Sequence, residues 1–146
     1  GVMAKTKRPL LAIPKKAGEL NLKNVVFSTD FRLRLDEHSL KTLTELLHMQ
    51  KSKLHIVHIM DKPGEHPEKS REQAISQKLE GIPHDFHYLH DRDVAQAVSN
   101  FIESTDGGLV VAVAHEHSLL HRLFFDSITR RLAHRTTIPM LALHDA

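Results

Sequence analysis

Apolar positions along the chain fall into two kinds of run. Four short stretches are almost continuously apolar and rich in Val, Ile and Leu. They are Asn24–Thr29 (NVVFST), Leu54–Ile59 (LHIVHI), Leu109–Ala114 (LVVAVA) and Met140–Leu143 (MLAL). Strands buried on both faces of a parallel sheet read this way, without strict alternation. A fifth stretch, Asp85–His90 (DFHYLH), is more polar and alternates, as an edge strand does. Between these runs the apolar period becomes helical. Leu40, Leu43, Leu46 and Leu47 make one stripe, with Asp36 placed to cap it. Val94, Ala97, Val98, Phe101 and Ile102 make a second, opened by Asp91 or Asp93. Glu68–Leu79, preceded by Pro67, reads as a more polar helix. Asp126–His134 begins on a capping residue and ends in bases, which suits the helix dipole. Strands alternating with helices predict right-handed crossovers and a parallel α/β sheet. Ligands of such sheets sit beyond the carboxyl ends of the strands, near the switch point of strand order. That rule points to Ser28–Arg32, Ile59–Lys62 and the segment from Ala114 onward.

Composition narrows the chemistry. The 146 residues suit one domain with a sizeable core. The absence of cysteine removes disulfide scaffolds, thiolate metal sites and cysteine nucleophiles. No apolar run is long enough to cross a bilayer and no signal-peptide pattern is present, so membrane association is not expected and a cytoplasmic setting is. The net charge is +2, but the first 24 residues carry six bases against one acid, which leaves −3 for the remainder. Basicity therefore belongs to an N-terminal arm, and without a basic stripe interleaved with aromatics no nucleic-acid partner is expected. The chain has no G-x-S-x-G elbow, no H-E-x-x-H, no Walker loop and no G-x-G-x-x-G, so catalysis is not expected either.

Three segments, in order, resemble the universal stress protein family: Val25–Phe31 (VVFSTDF), Leu54–Ile59 (LHIVHI) and the block from Leu109 to Leu143. The resemblance covers Leu22 to His144 and implies a five-stranded parallel sheet of order 3-2-1-4-5 with helices on both faces. Nucleotide-binding members carry Gly, two residues, Gly, nine residues, then Gly followed by Ser or Thr. Glycines there let backbone N–H groups approach phosphates at a helix N-terminus. In this chain Ser127 matches the hydroxyl, while Val113, Glu116 and Asp126 stand at the three glycine positions. The pocket that the resemblance implies comprises Asp30, Val113, His115, Glu116, Asp126 and Ser127. Its two added carboxylates disfavour ATP, and no cofactor is expected. The expected function is that of a stress-response protein acting through protein contacts. Adenine-nucleotide binding with slow or no hydrolysis is the alternative, and a histidine-based metal-binding module is a third.

Thirteen histidines are an excess. His115, His117 and His121 form an H-x-H-x3-H run with zinc-like spacing, but no fourth ligand is fixed by it. His55 and His58 are three apart on a strand and face opposite sides, so they cannot chelate together. His84, His87 and His90 are spaced likewise. The reading is structural or solvated histidines, with the 115–121 run as the only metal candidate.

The two ends of the chain echo each other. Thr6–Ile13 (TKRPLLAI) shares Thr, Pro, Leu and Ala with Thr136–Leu143 (TTIPMLAL) at equal spacing. Residues 1–21 are therefore expected to be an arm, the last strand of a preceding homologous domain plus a linker, and residues 22–146 the universal stress-like domain. Leu10–Ile13 is expected antiparallel to Met140–Leu143, covering that edge. The expected partner is the preceding domain or a second copy of the chain, beside a protein partner of unknown identity.

Overall fold

The computed structural model describes residues 10–13, 21–28, 37–60, 68–90, 94–114 and 138–144. Six strands form one sheet: β1 (Leu10–Ala12), β2 (Asn24–Ser28), β3 (Lys53–Met60), β4 (His84–His90), β5 (Leu109–Ala114) and β6 (Met140–His144). Among the described residues three helices lie between them: α1 (Glu37–Met49), α2 (Lys69–Lys78) and α3 (Val94–Thr105). The order across the sheet is β1-β6-β5-β2-β3-β4. The five strands β2 to β6 are mutually parallel and follow the order 3-2-1-4-5. At the β6 edge β1 runs antiparallel, in the register Leu10↔Ala142, Leu11↔Leu141 and Ala12↔Met140.

Strand alternation divides the core into two layers. Val25 and Phe27, Leu54 and Ile56, Leu109 and Val111, and Leu141 and Leu143 point to one face. There they meet Leu43 and Leu47 of α1 and Ile75 of α2, with Leu79 just beyond it. Each such fully buried Leu contributes roughly 1.5–3 kcal/mol. The opposite face carries Val26, Val57 and Val110 against Val98 and Ile102 of α3. The first two crossovers thus lie on one face and the third on the other, so the winding reverses between β2 and β5. The polar character of α2 follows from its packing, which buries only Ile75 within the helix. As the sequence pattern suggests, β4 is the outer strand beyond β3, and its residues are at best half-buried. The caps expected at Asp36, Asp91 and Asp93 and the helix expected over Asp126–His134 lie outside the described residues.

Two helices stop in the same way. After α1, Lys51 adopts φ 51°, its N–H reaches the His48 carbonyl at 3.2 Å and the Ser52 N–H reaches the Leu47 carbonyl at 2.9 Å. After α3, Asp106 adopts φ 53°, with N–H donations from Asp106 to Glu103 and from Gly107 to Ile102 at 3.4 and 3.0 Å. This paired pattern is the Schellman turn, which satisfies terminal carbonyls and usually places glycine at the left-handed residue. Here Lys and Asp occupy it. Each turn feeds directly into a strand, and the Ser52 hydroxyl donates to the Leu22 carbonyl to fasten the start of β3 beside β2. Gly108 has a different constraint. Its N–H donates to the Asn24 carbonyl at 2.9 Å, and a Cβ there would fall inside the Asn21 carbonyl.

Two substitutions test this account by chemical denaturation. A left-handed Lys costs roughly 1–2 kcal/mol, and the extra chain entropy of glycine recovers only part of that in the unfolded state. Lys51→Gly should therefore raise stability by about 0.5–1 kcal/mol. Gly108→Ala should lower it by about 3 kcal/mol, the upper range for overpacking, because backbone rather than a mobile side chain blocks the added carbon.

Candidate functional site

Most residues of the sequence-derived pocket, namely Asp30, His115, Glu116, Asp126 and Ser127, lie outside the described residues, as do His117 and His121. Val113 is placed. It is the fifth residue of β5, in register with Leu143 of β6, toward the carboxyl end of the sheet. The switch point lies where the carboxyl ends of β2 and β5 separate, with Ser28 opposite Ala112. Ser28 is 1% exposed, and among the described residues its hydroxyl has no hydrogen-bond partner.

The other end of the sheet carries a polar cluster that spacing along single strands does not reveal. The register pairs Asn24 with Lys53 and His55 with Asp85, while Val57 pairs with His87. Alternation puts Asn24, Lys53, His55, Asp85 and His87 on the α3 face. His55 is buried among apolar neighbours at 8% exposure. Its Nε2–H donates to Asn24 Oδ1 at 3.0 Å, since an amide oxygen can only accept. That fixes the tautomer, leaving Nδ1 as the acceptor for His87 Nε2–H at 3.2 Å. Lys53 Nζ lies 2.7 Å from Asp85 Oδ2, both half-exposed at the rim. From α3, Phe101 closes the cluster, with ring centroids 4.7 Å from His87 and 6.0 Å from His55.

Electrostatics favour the neutral form of both imidazoles. Burial pushes the His55 pKa down, and His87 and Lys53 push the same way against the opposing pull of Asp85. His87 is lowered first by burial, with Asp85 opposing and Lys53 adding to the drop. The hydrogen bond from Lys53 holds the Asp85 carboxyl below its ordinary range. Two neutral rings and one ionised carboxylate can hold a proton in place, accept a cation or bind a polar group.

Two further strand histidines, His84 and His58, have structural partners. His84 Nδ1–H donates to the Ile82 carbonyl at 2.7 Å, and its Nε2 accepts from the Ser76 hydroxyl at 2.8 Å. His58 stands edge-on to Tyr88 at 6.3 Å on the opposite face from His55. The exclusion of chelation by His55 with His58 therefore holds within the strand. What it missed is the neighbouring strand. The signal was present in alternation: Asp85 and His87 are two apart and share a face, and a parallel partner with His55 on that face completes the group.

With the fold and this geometry in view, the family profile described as the universal stress protein family matches residues 21–144. The chain belongs to the universal stress protein family. No curated protein matches the sequence. Among solved structures, a universal stress protein from Archaeoglobus fulgidus DSM 4304 superposes with a TM-score of 0.73 at 16% identity. The match covers 99% of this chain and 52% of that one, so this chain spans about half of that structure. A universal stress protein in complex with cAMP superposes at a TM-score of 0.63 with 15% identity, covering 86% and 99% of the two chains. One from Archaeoglobus fulgidus in complex with dAMP gives 0.55 at 15% identity, covering 84% and 98%. At these identities the likeness carries the universal stress fold. Among the described residues no helix is long and apolar enough to cross a membrane.

The lowered imidazole pKa values predict an acid-sensitive universal stress domain. Well above the unfolded value of 6.5 neither His55 nor His87 is protonated in either state, so they contribute little pH dependence there. As pH falls below 6.5 the unfolded chain binds protons that the folded cluster resists, and stability drops until the folded values are reached. Denaturation in EDTA between pH 7.5 and 5 should show this loss. His87→Phe should make the slope shallower by up to one proton relative to wild type, and equal slopes would refute the assignment.

Proposed function

We propose that this universal stress protein acts without catalysis, through protein contacts, and that its nucleotide pocket is degenerate. The observation that carries the reading is the triple replacement at Val113, Glu116 and Asp126. By the family's motif spacing, Val113 of β5 would bring a β-branched side chain to where backbone approaches phosphate in nucleotide-binding members. By the same spacing, Glu116 and Asp126 would bring two carboxylates to where phosphate oxygens lie in those members. Like charges at 4 Å cost about 1 kcal/mol in water and about 4 kcal/mol at intermediate dielectric, enough to remove several orders of magnitude of affinity for a triphosphate. At the start of the helix expected over Asp126–His134, the Asp126 carboxylate would supply the negative charge a phosphate would bring.

Protein contact through the β6 edge is the second part of the reading. Leu11 and Ile13, on and just after β1, are 50% and 63% exposed, an apolar rim at the edge strand. The internal repeat and the half-length match to the Archaeoglobus structure support a tandem arrangement. In it, residues 1–21 end a preceding homologous domain, or pair with a second copy of the chain.

Adenine-nucleotide binding is the competing reading. It is favoured by the similar structures in complex with cAMP and dAMP and by Asp30 and Ser127, which match the family pattern. Titration calorimetry with ATP and Mg²⁺ separates the two. No binding is expected at cellular nucleotide concentrations. A dissociation constant of about 10 µM, or ~6.8 kcal/mol, would contradict the proposal. Restoring glycine at 113, 116 and 126 together should raise affinity more than any single reversion.

A further inference from the structure

We propose that His55, His87 and Asp85 form a binding site for a divalent transition-metal ion of the zinc class, at the amino end of the sheet. The site is distinct from the H-x-H-x3-H run and from the nucleotide pocket, and does not depend on the function proposed above.

Spacing is the first support. Zinc–nitrogen bonds are about 2.0–2.1 Å, so two nitrogens on one tetrahedral ion lie roughly 3.3 Å apart. His55 Nδ1 and His87 Nε2 are 3.2 Å apart. One ligand atom from each of His55, Asp85 and His87 lies within 4.8 Å of the others. The two imidazoles therefore need little backbone movement to share an ion, and the Asp85 carboxylate can reach it by a side-chain rotation.

Support around the ligands is the second. Metal-bound histidines ordinarily donate the other ring N–H to an oxygen, which fixes ring orientation and tautomer. His55 does so to Asn24 Oδ1, which leaves Nδ1 as the acceptor nitrogen, facing His87 Nε2. Binding moves the His87 Nε2 proton to its Nδ1, after which both nitrogens offer lone pairs. All three ligands stand on paired strands rather than loops, in the register His55↔Asp85 and Val57↔His87. Positions on such elements are held more tightly than positions on loops.

Donor chemistry selects the ion. Two imidazoles and one carboxylate suit Zn²⁺, Co²⁺, Ni²⁺ or Cu²⁺, whereas Ca²⁺ and Mg²⁺ prefer all-oxygen sets. Three protein ligands leave a fourth position to water. Lys53 tunes the site by competition, because its ammonium shares Asp85 with the incoming ion. Lys53→Gln should therefore tighten binding.

Calorimetric titration of the EDTA-stripped full chain with ZnCl₂ is the test. The reference protein is the triple variant His115→Ala/His117→Ala/His121→Ala, which removes the other histidine cluster. One ion per chain should bind it with a micromolar or tighter dissociation constant. In that background His87→Ala and Asp85→Asn should each weaken the site at least tenfold, and Asn24→Ala by about 10-fold or more. His87 and Asp85 are chosen because both are more exposed than His55, and melting in EDTA checks that the variants fold. Co²⁺ should give the visible absorption of a tetrahedral site, lost in His87→Ala. Loss of zinc binding in the triple variant, or affinity unchanged by both His87→Ala and Asp85→Asn, would overturn the proposal.

Discussion

Burial of three adjacent parallel strands on both faces is the constraint on which the rest of this molecule depends. Where β2, β3 and β5 lie side by side, Val25, Val26, Leu54, Ile56, Val57 and Val111 are wholly or almost wholly inaccessible to water. A polar side chain in those strands gains from partners inside the protein, because an unpaired buried polar group costs roughly 1–3 kcal/mol; Ser28 of β2 has none among the described residues. His55 is the test of that rule. One ring nitrogen is satisfied from β2 by Asn24 and the other from β4 by His87. Charge is kept to the rim, where Lys53 and Asp85 pair in partial solvent contact. One buried imidazole thus accounts for the polar residues at the starts of three strands.

Much of this was legible in the sequence, and the reasons differ from element to element. The runs NVVFST, LHIVHI and LVVAVA identify central parallel strands because burial on both faces makes them almost continuously apolar and β-branched, and they are too short for helices. The stripe Leu40, Leu43 and Leu47 predicts α1 because a helix packing on one face buries every third or fourth residue. The helix ends were harder to read. Lys51 and Asp106 occupy left-handed positions that usually announce themselves by glycine, so no residue marked the turns. The histidine cluster was least visible. His55 and His87 are 32 positions apart, and only the β3–β4 register brings them together. Spacing within one strand excludes chelation by neighbours along the chain and says nothing about neighbours across it.

The two ends of the sheet have diverged in chemistry. At the carboxyl end, Val113, Glu116 and Asp126 stand at the sequence positions that the family resemblance assigns to phosphate-approaching glycines, the basis of the proposed loss of nucleotide binding. At the amino end, neutral imidazoles and an ionised carboxylate are assembled on rigid strands under Phe101. The fold class alone does not decide between these ends, because a fold hosts many functions and the site determines which. In this domain the described polar chemistry sits where nucleotide is not expected.

The central claim is that the sheet holds His55 neutral, with Nε2–H donated to Asn24 and Nδ1 facing His87. Long-range ¹H–¹⁵N correlation spectra of the ¹⁵N-labelled, EDTA-treated protein read tautomer and charge of each ring directly, followed from pH 8 to 5. The account predicts that His55 keeps the Nε2–H form and stays neutral as pH passes below 6.5. A His55 ring carrying its proton on Nδ1, or one that titrates at or above 6.5, would contradict it.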